Sequence, residues 1–364
     1  MRWAVDLAAS KMIFAAICAS AAFLSVGRLA IAAPVAVAPY TIATFKGVPP
    51  AGATQPDDLA ISADGMDLWI GYGNGVDTFG KGGPSDLVEY NISTGAVLQN
   101  LTIPGHLDGL KIDPATGNVW ATENEDGNPT LAIVDPTSGK FKIFKVSSNL
   151  ITGGFDDLAF VSGPKSSTAF IVASSQTDTT TPVVVEVGGK MNKDMLSLTA
   201  AVPGVPPSVF NVVTGAVETN DQIADPDSMT IDPAGEFVLD NRSDDSLYII
   251  RNSSASHPIL RVPLTLASAA LEVNDTIFTF SATTGKASTS GTIFITDTSA
   301  NAIYMLSKPY FPANEVYTAA NVVNDVGLVD LNTGVVTPVV TGFVGVHGLA
   351  FSPTGVAVTA PGGK

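Results

Sequence analysis

In Asp108-Gly109-Leu110-Lys111-Ile112-Asp113-Pro114-Ala115-Thr116-Gly117-Asn118-Val119-Trp120 an acidic residue opens a short apolar alternation, an Asp-Pro turn closed by glycine follows, and a β-rich run resumes. The same order recurs elsewhere in the chain. Asp57-Asp58-Leu59-Ala60-Ile61 leads into Leu68-Trp69-Ile70, with Trp69 and Trp120 each twelve positions after Asp57 and Asp108. Asp156-Asp157-Leu158-Ala159-Phe160 leads into Phe170-Ile171-Val172. Asp227-Ser228-Met229-Thr230-Ile231 precedes Asp232-Pro233-Ala234-Gly235 and Phe237-Val238-Leu239. The last copy, His347-Gly348-Leu349-Ala350-Phe351, precedes Ser352-Pro353-Thr354-Gly355 and Val356-Ala357-Val358. These starts are 51, 48, 71 and 120 residues apart, and the widest gap leaves room for a degenerate copy. Asp275-Thr276-Ile277-Phe278 with Gly291-Thr292-Ile293-Phe294-Ile295-Thr296-Asp297 supplies it.

A second signal marks the other half of the unit. Glu89-Tyr90-Asn91-Ile92-Ser93-Thr94-Gly95, Val134-Asp135-Pro136-Thr137-Ser138-Gly139 and Val329-Asp330-Leu331-Asn332-Thr333-Gly334 each set a turn between β-formers, a hairpin pattern. Four short strands and three turns need roughly 40–50 residues, the length of a propeller blade. Alternation along the inner strands offers an apolar face to each neighbour, so stacked blades bury one another. Helical periodicity is absent, and glycine-rich turns recur throughout. The expected fold is all-β: a β-propeller of six blades, closed by N- and C-terminal strands in one blade. Val35-Ala36-Val37 and Tyr40-Thr41-Ile42-Ala43-Thr44-Phe45 would supply the strands that the last copy lacks. Residues 192–225 and 308–327 read as long connections decorating one face, with a seventh blade within 300–340 as the alternative.

Residues 1–32 read as a signal peptide ahead of a single propeller domain, 33–364. Arg2 and Lys11 flank a basic start interrupted by Asp6, Met12 to Val26 is apolar, and Ala30-Ile31-Ala32 fits a small-x-small cleavage site. An uncleaved anchor is the alternative. Cys18 follows Ile17 rather than a small residue, which argues against lipidation, and it is the only cysteine. The mature domain therefore has no disulfide, despite a secreted or periplasmic destination. Cleavage would remove three basic residues and one acidic residue, taking the net charge from −16 to −18. So acidic a surface repels nucleic acid and anionic lipid and attracts cations. No later apolar run is long enough for a membrane span.

The chain entering an innermost strand and the loop between second and third strands share one face of a propeller. Asp57, Asp58, Asp108, Asp156, Asp157, Asp227, Asp275 and His347 are thus expected around the mouth of the central channel. Glu123-Asn124-Glu125-Asp126, Asp178, Asp240-Asn241, Asp244-Asp245 and Asp297 add a second set. Converging carboxylates repel unless a cation, protonation or distance relieves them. The metal candidates are Asp58, Asp108, Asp156 and Asp227, with calcium expected from hard oxygen donors. Aspartates that tie their own entrance turns are the plainer alternative. Asp113, Asp135 and Asp232 each precede proline in a turn, which explains them. His106 and His347 flank entrance strands and could be ligands or bases, whereas His257 reads as surface. No nucleotide, haem or quinone is expected, because there is no P-loop and no cysteine pair, and no Gly-x-Ser-x-Gly elbow offers a serine nucleophile.

Gly291-Thr292-Ile293-Phe294-Ile295-Thr296-Asp297-Thr298-Ser299-Ala300-Asn301-Ala302-Ile303 resembles an NHL-type repeat. Pro226-Asp227-Ser228-Met229-Thr230-Ile231-Asp232 resembles a Pro-Asp-Gly-Met stretch of the SMP-30/gluconolactonase family, six-bladed propellers with lactonase activity. The resemblance implies a divalent metal and a catalytic role at Asp227. His347-Gly348-Leu349 is similar to the family's Asn-Gly-Leu element, with His347 replacing asparagine. Two functions stand: a non-catalytic propeller binding a small molecule, extracellular polymer or protein at its acidic face, or a metal-dependent lactone or ester hydrolase using Asp227 and His347. A monomer is expected in either case. Protein recovered from outside the cytoplasm should begin at Ala33 on N-terminal sequencing; an intact Met1 there would refute the signal.

Overall fold

A computed structural model describes residues 33–353 apart from 147–149, 163–166, 174–181, 189–193, 252–254, 281–289 and 313. Contacts divide the chain into two units, 1–32 and 33–364. The expected signal segment, Asp178 and Val356-Ala357-Val358 lie outside the described residues. The remainder forms a six-bladed, all-β propeller.

Blade I comprises Pro56–Ile61, Asp67–Tyr72, Pro84–Asn91 and Val97–Pro104, from the axis outward. Blade II runs Leu107–Ile112, Val119–Glu123, Thr130–Asp135 and Lys140–Val146, with Met195–Leu196 added in parallel. Blade III is Phe155–Ser162, Ser167–Ala173, Pro182–Val187 and Leu198–Pro203. Blade IV is Pro226–Ile231, Phe237–Asn241, Ser246–Ile250 and Ile259–Pro263, extended by the hairpin Val209–Asn211 and Ala216–Glu218. That hairpin turns on Asn211-Val212-Val213-Thr214-Gly215, where Gly215 N–H meets the Asn211 carbonyl. Asn91–Gly95, Asp135–Gly139 and Asp330–Gly334 close in the same way. Asp113–Gly117 does so between the inner strands of blade II, and the Asn211–Gly215 turn lies inside a stretch expected to be a connection.

Blades V and VI are interleaved. Blade V places Asp275–Phe278 innermost, then Val316–Ala320, Asp325–Val329 and Val336–Thr341, with Val35–Ala36 at its outer edge. Blade VI places Val346–Ser352 innermost, then Thr292–Asp297, Ala302–Ser307 and Thr41–Thr44. Asp275–Phe278 and Thr292–Asp297, expected in one blade, therefore belong to two. The hairpin 292–307 fills the second and third places of blade VI before the chain returns to finish blade V. This corrects the reading of 308–327 as connection: Val316-Tyr317-Thr318-Ala319-Ala320 is a fully buried strand. It also leaves no seventh blade within 300–340 among the described residues.

The N-terminal segment is fixed by packing as well as pairing. Phe45, 3% exposed, stacks edge-on against Tyr90 of blade I at 5.8 Å and Phe294 of blade VI at 5.8 Å. The Lys308 ammonium lies 5.0 Å from the Tyr40 ring, 4.9 Å from Phe311 and 5.7 Å from Tyr317, with Glu315 as its counter-ion. Deleting a buried aromatic side chain removes its transfer free energy and leaves a cavity. Phe45→Ala should therefore cost about 3–5 kcal/mol in denaturant unfolding; a loss below about 1 kcal/mol would show that this segment does not help hold the ring.

Candidate functional site

Five inner strands begin with the same irregularity. The register slips between Pro56 and Leu59, Leu107 and Leu110, Phe155 and Leu158, Pro226 and Met229, and opposite Val346 and Leu349. Each slip is a β-bulge, which leaves two residues unpaired and re-aims their side chains. The first bulge residues are Asp57, Asp108, Asp156, Asp227 and His347, and Asn274 of blade V stands beside Asp227. They form an upper ring at the mouth. The second bulge residues are Asp58, Gly109, Asp157, Ser228 and Gly348, and Asp275 completes the lower ring.

In the lower ring, carboxylates alternate with small residues. Asp58 accepts the Leu110 N–H at 2.6 Å, Asp157 the Met229 N–H at 2.9 Å and Asp275 the Leu349 N–H at 2.5 Å. Blades I, III and V thus each hold the next blade. Gly109 must be glycine: a Cβ there would lie 2.4 Å from Asp157 Oδ1. Lys111 reaches into this ring, 3.2 Å from Asp58 and 2.7 Å from Asp157. Burial opposes its charge, but the surrounding carboxylates raise its pKa above the usual lysine value. Burial lifts Asp58 to about 6 despite Lys111, and burial with the Asp58 charge lifts Asp275 to about 8.

The upper ring is less compensated. Asp227 is 3.3 Å from the Arg242 guanidinium and accepts from the Asn274 amide, yet burial holds it at about 6. His347 Nδ1–H donates to Asp57. Burial opposes the His347 charge, but Asp57, then Asp227 and Glu125, raise it to about 9. Burial likewise opposes the Asp57 charge, and His347 outweighs it, leaving that carboxyl below its usual value. Asp108 is pushed well up by burial and by Glu125, Asp57, Asp156 and Asp227. Glu125 rises to about 8 through burial and the charges of Asp227 and Asp57.

Glu125 reaches the axis from the loop after Val119–Glu123 because neighbouring glycines leave room for that loop. A Cβ on Gly154 would sit 1.8 Å from the Asn124 carbonyl, and Asn124 itself adopts a left-handed φ of 67°. His106 Nδ1 lies 3.0 Å from the Val76 carbonyl, which can only accept, so Nδ1 carries a proton. Nε2 then points inward, 3.9 Å from Asp57 Oδ2 and 4.0 Å from Glu125 Oε1. Potential ligand atoms of Asp57, His106 and Asp108 lie within 4.8 Å of one another, as do those of Asp108, Glu125 and Asp156.

The structure thus brings Asp108 and Asp156 together and adds Asp57, Glu125 and His106. Asp58 lies one ring lower against Lys111, and Asp227 faces Arg242. Asp297 instead accepts the Val344, Gly345 and Ala300 N–H groups, and Asp244 pairs with Arg261 at 2.8 Å. Sequence reading left Lys111, Arg242 and Asn274 unassigned. Lys111 carried a signal, since alanine holds its register position in Ala60, Ala159 and Ala350.

No protein-family model matches the chain, and no curated protein matches it. Similar solved structures include a streptogramin B lyase, 12% identical over 86% of this chain and 94% of that one, TM-score 0.45. Virginiamycin B lyase from Staphylococcus aureus is 10% identical over 82% and 72%, TM-score 0.38. A protein of unknown function from Bacteroides caccae is 11% identical over 82% and 86%, TM-score 0.45. At such identities the likeness concerns the fold alone.

The raised carboxyl values give stability a sign. Asp58 and Asp227 at about 6, and Asp275 and Glu125 at about 8, hold protons in the folded state that the unfolded chain releases near pH 4. His347 binds its proton up to about pH 9, against about 6.5 unfolded. In both cases the native state binds more protons, so stability falls as pH rises. Without divalent cations, the melting temperature should decline steadily between pH 5 and 9; a flat or rising profile would contradict these assignments.

Proposed function

We propose that the upper ring binds a divalent cation, and that the propeller functions as an exported binding module whose acidic face takes up its ligand through that ion. One observation carries this reading: His106 Nε2 lies 3.9 Å from Asp57 Oδ2 and 4.0 Å from Glu125 Oε1, too far for direct hydrogen bonds, and Asp108 shares one group of candidate ligand atoms with Asp57 and His106 and another with Glu125 and Asp156. A cation at ordinary coordination distances of about 2.0–2.5 Å spans such a gap. Asp108 and Asp156 stand beside these groups to complete the donor set. The Val76 carbonyl would then be the outer partner that fixes the tautomer of a ligating imidazole. Asp108, Glu125 and Asp156 alone would suit calcium or manganese, whereas a nitrogen from His106 favours zinc.

A second reading rests on the Asp57–His347 pair. His347 is charged at neutral pH and faces the same mouth. It could donate a proton to the leaving group of a lactone or ester polarised by the ion, with Asp227 orienting water. The two readings share the ion and differ in turnover.

An ion that binds only the folded chain stabilises it by mass action, about 2.7 kcal/mol at 100 times its dissociation constant. Calorimetry with zinc, manganese or calcium should raise the melting temperature, chelator should reverse the rise, and Asp108→Asn or His106→Gln should remove most of it. Equal melting with each ion and with chelator would defeat the proposal. A lactone and ester screen on the loaded protein then separates hydrolase from binding module.

A further inference from the structure

The channel does not end at Lys111. Below the plug formed with Asp58 and Asp157 it opens into a cavity of about 260 Å³ facing the opposite end of the ring from the acidic mouth. The strand position of Lys111 is held in the other blades by Ala60, Ala159, Thr230, Ile277 and Ala350, all of which line this cavity. Three of the five are single methyl groups, so the backbone ring encloses space that its own side chains do not fill. One step further down, Ile61, Ile112, Phe160, Ile231, Phe278 and Phe351 form a second, bulky apolar ring. All but Phe278 are only half-buried.

We propose that this lower lumen is a second binding site, separate from the mouth, for a compact uncharged apolar molecule. Concave apolar surface left in contact with water is unfavourable, and a preformed apolar cavity with few polar groups is the usual form of a small-molecule site. The charges at its closed end favour an uncharged occupant. The Lys111 ammonium is already held between Asp58 and Asp157, so an anionic head group would have to break those pairs. A cationic one would meet the ammonium itself. Near the rim, Asp64 is occupied by the Ser62 hydroxyl and the Met66 N–H. Selectivity would come from shape, with the alanine positions admitting a flat or narrow molecule along the axis.

The uncharged fluorophore N-phenyl-1-naphthylamine is a suitable probe. Titration into the protein should give saturable fluorescence enhancement with one site per chain, and chelator should leave it unchanged. Thr230 and Ile277 border the cavity as half-buried side chains, so enlarging either fills it, and Ile277 also packs against the apolar core between blades V and VI. Thr230→Trp should weaken binding by roughly tenfold or more while melting near the wild-type temperature, and Ile277→Trp should weaken binding equally while lowering the melting temperature through overpacking. If either variant fails to fold, Ile277→Phe makes the same test with a smaller change. Absence of saturable binding overturns the proposal, and so does binding that these variants leave intact, which would place the probe on the outer surface. Binding that appears only after removal of residues 354–364 overturns it as well, because the chain itself would then be the occupant.

Discussion

Leu110, Met229 and Leu349 each direct a backbone N–H across a blade boundary, where the carboxylates of Asp58, Asp157 and Asp275 receive them. Every other boundary of the ring is spanned in this way. The remaining places in the lower ring are Gly109, Ser228 and Gly348, small enough for the backbones to approach. The propeller is thus three pairs of blades as much as six single ones. Its geometry requires buried carboxylates on the axis, and those carboxylates oblige Lys111 to occupy the lumen. That lysine divides the channel into an acidic end and an apolar end.

The alternation extends into the second strands. Thr122 of blade II donates to carbonyls of Gly109 and Asp156, and Thr296 of blade VI does so to the Asp57 carbonyl. Blade IV has Asp240 at the same register position, fully buried, and burial holds its carboxyl well above the ordinary range. The Thr276 and Ser228 hydroxyls favour its ionised form, but burial and the Asp275 charge outweigh them. Fold and electrostatics are coupled here: the contacts that close the ring also keep several acids protonated at neutral pH.

Much of this was legible in the chain because a bulge has a local sequence cost. Asp57-Asp58, Asp108-Gly109, Asp156-Asp157 and Asp227-Ser228 repeat since each must turn one polar side chain to the mouth and another, or none, to the next blade. Blade V was hard to read for the converse reason. Its inner strand has no register slip, and the hairpin 292–307 separates that strand from its own blade. Asp275 consequently looked like an entrance residue, whereas Asn274 holds the place beside Asp227. Glu125 was visible only as one acid in a run. What selects it is the space left by Gly154 around the loop, and proximity between distant loops has no signature in a single sequence.

The central claim is that the convergence of His106, Asp57, Asp108, Glu125 and Asp156 exists to hold an ion. Anomalous diffraction from a crystal grown with manganese tests it most directly, because the scattering locates the metal without reference to stability or turnover. The account predicts one strong anomalous peak on the mouth side of Lys111, within about 2.0–2.5 Å of His106 Nε2 and at least two of the carboxylates. A mouth filled only by ordered water, with the manganese elsewhere or absent, would contradict it.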